Sequence, residues 1–227
     1  NDVFTVESAK KIAGGSMTIL FGKATQPIQR GGKVVQRLDE KRRKGLMRAH
    51  SATHLLNWAL QKSRLGTAQK GSSVDCDRLR FDYSTRVEHL EKEQRLEKLK
   101  TCEELMKEFI GKGGETRVQE TTMEEAKKIE NLQSDVKEDR IGGACVRIVA
   151  LGTKEDVPVE CCSGTHVLNV NTIGDVVIIS DKSIGTKTRR IIALTGNEAK
   201  ECRQYVENVE KELKEGNDKS AIGKVGN

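Results

Sequence analysis

The chain is expected to fold as an α+β domain, because strand-like and helical segments are mixed along it without regular β-α-β alternation. The two longest helical candidates are stopped by glycine, at Gly66 and at Gly111 to Gly114, while the first strand candidates are short apolar stretches punctuated by glycine and proline. The four histidines are also concentrated: His50, His54 and His166 fall in two short motifs and only His89 lies outside them.

From Val3 to about Leu38, short apolar stretches are punctuated by Gly14-Gly15, Gly22, Pro27 and Gly31-Gly32. This predicts a small β-rich lobe of short strands and turns, assigned to residues 1–44. The charged segment Asp39 to Lys44 leads into a helix expected from Leu46 to Leu65 and stopped by Gly66. At about 100° per residue, Ala52, Leu55, Leu56 and Ala59 form its packing face, and His50, Thr53, His54, Asn57 and Gln61 line the opposite side. A loop is expected over 67–77, then a strand on the alternation of Leu79, Phe81 and Tyr83. A long helix should run from Val87 to Ile110 with Leu99, Cys102, Met106 and Phe109 on its buried stripe. Thr116–Thr121 reads as a strand and Met123–Leu132 as a short helix. Ala144–Leu151, Val157–Cys161, Ile173–Ser180 and Arg189–Thr195 read as strands, Asn197–Lys214 as a charged helix, and 215–227 as a loose tail. A main domain over 45–200 and a helical linker over 201–227 complete the division.

Composition excludes several classes. Hydrophobic residues make up 35% of the 227, and no apolar run approaches the eighteen residues of a membrane span. The first residues lack the apolar core of a signal peptide, and the chain opens on Asn, which suggests a processed or excised segment. The net charge is +6, with basic clusters at Lys41-Arg42-Arg43-Lys44 and Lys187-Thr-Arg189-Arg190, compatible with phosphate contact or with an ordinary solvated surface. Aromatics are only 3%, so recognition of RNA by base-stacking sheets is disfavoured. Six cysteines without a regular framework are expected to be reduced thiols, with Cys102 and Cys145 packed in the core.

His50-Ser-Ala-Thr-His54 places two imidazoles on one helical face, and Cys162-Ser-Gly-Thr-His166 can turn a thiolate and an imidazole toward one point. A mixed His and Cys set suits zinc rather than magnesium or calcium. Cys161 competes with Cys162 as the third ligand, but strand alternation directs neighbouring residues to opposite faces. The first motif lacks the Glu that zinc-helix peptidases place beside their first His, which disfavours peptide hydrolysis. Four protein ligands would form a closed structural site, whereas catalytic zinc keeps a position open, and both remain possible at this stage.

These motifs, with Gln69-Lys-Gly-Ser72, Asp77-Arg-Leu-Arg-Phe-Asp82 and Arg189-Arg190-Ile through Thr195-Gly196, resemble the ordered signatures of the alanyl-tRNA synthetase editing domain. The stretch from Phe4 to Arg43 is similar to the β-barrel lobe that precedes that domain, and the likeness extends to about residue 200. The resemblance implies hydrolysis of the ester in alanine tRNA mischarged with serine or glycine, with Zn2+ as cofactor and His50, His54, Cys162 and His166 as its ligands. It implies catalytic or recognition roles for Thr53, Gln69 and Cys162, while for Arg78, Arg80, Arg189 and Arg190 tRNA phosphate contact competes with plain surface or salt-bridge roles; DNA and membrane partners are not expected. Physically, preferring serine over alanine needs a partner for the extra hydroxyl, and Thr53 shares the histidine face, although its hydroxyl can also bond the helix backbone. Ala49 stands where the family often has Asn, Ser163 replaces a usual Gly, and the stretch from Ser134 to Ala144 is shorter than usual. A cytoplasmic location is expected, with mitochondrial as the alternative. The rival readings are a free-standing trans-editing deacylase and a non-catalytic, zinc-stabilised RNA-binding module.

Overall fold

The computed structural model describes residues 3–12, 17–85, 90–134, 145–153 and 155–215. The chain divides into two units, with residues 1–39 in the first and the two described motif segments in the second. In the first unit, strands β1 (Phe4–Ile12) and β2 (Met17–Ala24) form an antiparallel hairpin with a register shift between Val6 and Ser8. A Cβ on Gly22 would lie 1.9 Å from the Thr5 carbonyl oxygen, so this position needs a residue without a side chain. Among the described residues this hairpin is the only sheet of the unit, and no closed barrel forms.

The second unit is built around helix α1 (Glu40–Lys62), with Glu40 in its first turn and Lys62 in its last, as the helix dipole favours. It begins earlier than the sequence pattern suggests, since the charged 40–44 segment is already helical. Strands β3 (Gly66–Val74) and β4 (Arg78–Thr85) follow, so the loop expected over 67–77 is mostly strand. The polar stretch Thr67–Ser73 conceals it, because an exposed edge strand needs little apolar alternation. Helix α2 (Lys92–Lys112) buries Cys102, Met106 and Ile110 at four-residue spacing and stops at Gly113, whose φ is 64°. Leu99 and Phe109 are only partly buried. The start expected for this helix and His89 lie outside the described residues.

Strand β5 (Thr116–Thr122) and the single turn α3 (Met123–Ala126) come next; α3 is far shorter than the helix expected to Leu132. Strand β6 (Cys145–Leu151) pairs with β5 on one side and with β7 (Val159–Cys161) on the other, giving the order β5-β6-β7. A 3-10 turn at Val170–Ile173 takes the start of the strand expected from Ile173. Strands β8 (Val176–Gly185) and β9 (Thr188–Thr195) complete an antiparallel sheet ordered β3-β4-β9-β8, and helix α4 (Asn197–Lys214) closes the described chain. The expected tail beyond Glu215 and the shortened 135–144 segment lie outside the described residues. No helix among the described residues is long and apolar enough to cross a membrane.

The core gathers α1, α2 and the inner face of the four-stranded sheet, with Leu55, Leu56, Phe81, Tyr83, Met106 and Ile191 almost fully buried. The histidine side of α1 is not a solvated face. Ser51, Thr53, His54 and Asn57 are each no more than 3% exposed. The helix is thus buried on both sides, its polar face covered by the segment from Glu160 to Val167. Cys102 is buried as expected, but Cys145 is exposed at the start of β6, where the strand's first residue precedes the buried alternation.

Candidate metal centre

Two elements far apart in sequence meet to form the centre. α1 carries His50 and His54 one turn apart, and the turn following β7 carries Cys162 and His166. One ligand atom from each of these four residues lies within 4.8 Å of the others, a spacing able to surround one metal ion. The His50 and His166 rings stack at 4.2 Å between centroids, and His54 lies edge-on to His50 at 5.0 Å.

Hydrogen bonds fix how the rings are presented. His50 Nδ1 lies 3.2 Å from the Thr165 carbonyl oxygen, which can only accept, so Nδ1 carries the proton and the lone pair sits on Nε2. That Nε2 is 3.4 Å from Cys162 Sγ. His166 repeats the arrangement, with Nδ1 3.2 Å from Ser51 Oγ and Nε2 3.4 Å from Cys162 Sγ. Ser51 Oγ also accepts the Val167 amide at 3.1 Å, tying the turn to α1. His54 Nε2 is 3.4 Å from Glu160 Oε2, while its Nδ1 is buried without a hydrogen-bond partner. Glu160 is held in turn by Asn57 Nδ2 at 2.8 Å, and Gln61 donates to Asn57 Oδ1 at 3.2 Å.

A buried nitrogen without a partner is costly, and histidines whose second nitrogen is hydrogen-bonded are the usual form of metal ligands. The donor set therefore fits a metal ion. Electrostatics agree, since burial lowers the pKa of all three imidazoles, well below the usual value for His54 and to about 3 for His166. Neighbouring histidines add to the depression for His54 and His166. All three are neutral near pH 7, with lone pairs free to bind a cation. Burial raises the Cys162 thiol, which must lose its proton to ligate, and lifts Glu160 to about 7.

The turn has little room to move. Arg147 Nη1 donates to the carbonyl oxygens of Cys162 at 2.7 Å and Gly164 at 2.9 Å, and the Gly164 amide lies 3.4 Å from Cys162 Sγ. A Cβ on Gly164 would lie 2.2 Å from His50 Cε1, so glycine is required by the approach of the imidazole. Ser163 has no positive φ, so a side chain in place of the usual glycine brings no backbone strain there. Cys161 belongs to β7, where its amide donates to Ser134 Oγ, and is not one of the four clustered residues.

The other candidate residues have different settings. Thr53 Oγ1 donates to the Ala49 carbonyl at 2.8 Å, the backbone bond weighed as an alternative to substrate contact. Gln69 lies on edge strand β3 and donates to Ser72 Oγ at 2.9 Å. Arg189 grips Asp181 through Nε and Nη2, and Arg190 forms a two-pronged pair with Asp82 at 2.7 and 2.8 Å. These pairs clamp β9 to β8 and β4, and the Arg190 guanidinium holds the Asp82 carboxyl below its usual range. Arg80 Nε is 4.0 Å from Asp82, and Arg78 is exposed. Ser51, Asn57, Arg147 and Glu160 were not singled out as supports in the sequence. Glu160 and Cys162 stand two residues apart at a strand end, the one spacing that could have connected them.

The family model of the threonyl and alanyl tRNA synthetase second additional domain matches residues 146–192, which include Cys162 and His166. The chain is 66% identical over 213 residues to the mitochondrial alanine–tRNA ligase of Caenorhabditis elegans, covering 94% of this chain and 27% of that protein. The chain matches the alanine–tRNA ligases over a fragment that holds their editing domain. It is 35% identical over 198 residues to the cytoplasmic enzyme of the same species, covering 82% of this chain and 20% of that one. With the human mitochondrial enzyme, identity is 30% over 237 residues, covering 98% and 23% respectively. The chain thus spans about a quarter of the length of these ligases and corresponds to their editing-domain region.

The neutral, buried imidazoles make stability depend on pH in the metal-free protein. Their folded pKa values lie below the reference of 6.5, so the unfolded chain binds more protons as pH falls below that value. Glu160 acts in the opposite direction, favouring the folded state less as pH rises from 4.5 to about 7. With three histidines against one glutamate, chelated protein is expected to lose thermal stability from pH 6.5 downward, most steeply below 4.5. Calorimetry across pH 3.5–7.5 checks this, and a midpoint that rises on acidification would contradict it.

Proposed function

We propose that this chain hydrolyses the ester of alanine tRNA mischarged with serine or glycine, with Zn2+ held by His50, His54, Cys162 and His166. The observation that carries the reading is the meeting of two histidine Nε2 atoms on Cys162 Sγ beside the unpartnered, buried His54 Nδ1, in a chain that matches the alanine–tRNA ligases. When bound, zinc would supply a positive centre for orienting ester or water and for countering charge on the reacting oxygen. The protein's own part is to hold the donors: Thr165 and Ser51 fix two rings, Glu160 engages the third, and Arg147 braces the turn. Thr53 gives its proton to Ala49, so its oxygen has lone pairs left to accept from a serine hydroxyl. Gln69 is assigned a part in substrate recognition, and Arg78 and Arg80 contact with tRNA. Arg189 and Arg190 would serve phosphate only in competition with their aspartates.

The test is release of serine and, separately, alanine from charged alanine tRNA, using the zinc-loaded chain and the same chain after chelation. Serine release well above alanine release, abolished by chelation and restored by zinc, is the expected result; equal release of both esters would refute selective editing. Thr53→Val is expected to lower serine release about ten-fold, the worth of one hydrogen bond, while leaving the zinc content unchanged. Unaltered serine release in that variant would remove Thr53 from recognition. Identity of 66% with a ligase named mitochondrial, against 35% with its cytoplasmic counterpart, favours a mitochondrial location over the cytoplasmic one first expected.

A further inference from the structure

α1 begins with four cations in succession, Lys41, Arg42, Arg43 and Lys44, all exposed. This is the end of a helix where the peptide dipoles leave partial positive charge, so cations here oppose helix stability. Two of the four have acidic neighbours: Arg42 reaches Asp75 at 3.4 Å, and Lys44 reaches Glu40 at 3.1 Å. The helix is rigidly seated at this level, because Gly45 packs so closely on Cys76 that a Cβ would lie 2.4 Å from the Cys76 carbonyl oxygen. Arg48 also donates to that carbonyl at 3.3 Å.

Helical geometry separates the four. Arg43 precedes His50 by seven residues, about two turns, which places it within about 20° of the same helix face and about 10 Å away along the axis. Lys41 precedes His50 by nine residues and points about 180° away. Arg43 therefore stands above the metal centre on its own face, and Lys41 carries a like charge on the far side.

A substrate whose ester lies at the metal centre carries its nearest phosphates one to three nucleotides back along the strand. Charges on a stacked strand are about 3.4 Å apart and on an extended strand farther, so about 10 Å matches that interval. We infer that Arg43 is a phosphate anchor for the 3′-terminal strand of a tRNA whose ester occupies the metal centre. This rests on the proposed deacylase reading and adds the surface by which the RNA strand is aligned. The cost of a cation at this helix end is then offset by its use on an anionic ligand.

Arg43→Gln and Lys41→Gln remove the same charge from the same helix on opposite faces. Binding of uncharged alanine tRNA to the zinc-loaded chain, followed by fluorescence anisotropy from 50 to 200 mM KCl, compares them. One lost single-strand phosphate contact is expected to weaken binding about five-fold near 0.1 M salt and to reduce the slope of log K against log salt by about 0.7. That change is expected for Arg43→Gln and not for Lys41→Gln. Equal effects of the two substitutions, no effect of Arg43→Gln, or no binding by the unaltered chain would each overturn the assignment.

A seryl ester of adenosine without phosphate separates this inference from the activity it rests on. Its hydrolysis is expected to be the same for the unaltered chain and Arg43→Gln. A selective loss in the variant would overturn the anchor by showing that Arg43 acts on the centre itself. If no form cleaves the ester but the difference in tRNA binding persists, the deacylase reading fails and the phosphate contact stands.

Discussion

Cys162→Ala is expected to lower zinc affinity about 100-fold and to abolish serine release from mischarged alanine tRNA. Cys162 Sγ is approached by both His50 Nε2 and His166 Nε2 at 3.4 Å, so the substitution removes the atom common to both pairs. Structural zinc sites are worth roughly 10–16 kcal/mol in total, so an even share for one of four ligands is roughly 2.5–4 kcal/mol, which spans the roughly 2.7 kcal/mol of a 100-fold change. Metal titration against a competing chelator gives the affinity, and thermal melts of chelated protein show whether the fold survives. An intact melt with both zinc and activity lost would separate the catalytic reading from a purely structural zinc. Retention of tight zinc binding by Cys162→Ala would instead transfer the ligand role to Cys161, which the cluster geometry disfavours.

Gly164→Ala is the second change with a large expected effect, although it removes no ligand. The added carbon would lie 2.2 Å from His50 Cε1 and 2.7 Å from His50 Nδ1, far inside contact distance. The turn cannot simply retreat, because Arg147 holds the carbonyls on both sides and the Thr165 carbonyl is bonded to the same imidazole. His50 must swing away, breaking its bond to Thr165 and its alignment with Cys162. Overpacking of this kind costs roughly 1–3 kcal/mol, and misaligning a ligand costs roughly 10–100-fold in metal affinity. Ser163→Ala in the neighbouring position is the control, since Ser163 has no positive φ that would resist the change. Similar zinc affinity in Gly164→Ala and the unaltered chain would show that His50 is not confined as described.

The ligand set was readable because metal chemistry restricts residue types and helical spacing restricts where two imidazoles can point. What surrounds the set was harder to read for a physical reason. Asn57 and Glu160 are charged or polar residues that usually face water, and only the pairing of one with the other makes their burial affordable. The polar residues on α1 therefore read only as the side opposite its packing stripe, although they face a second wall of protein. Strand β3 was missed because its pairing with β4 is supplied by the backbone, and its Gly, Ser and Gln side chains carry no apolar signal. For Arg189 and Arg190 the sequence leaves phosphate contact, plain surface and salt bridges all open, because their partners, Asp181 and Asp82, lie on neighbouring strands that only the sheet order brings beside them.

The two halves of the metal centre also have different ages in a growing chain. His50 leaves the ribosome 112 residues before Cys162. At about 5–20 residues per second this is an interval of roughly 6–22 s in which the histidine pair exists without its thiolate. A metal ion met in that interval finds only the imidazoles of α1, so the complete set can assemble only once the turn after β7 has been made and docks. Metal uptake then marks the arrival of that turn.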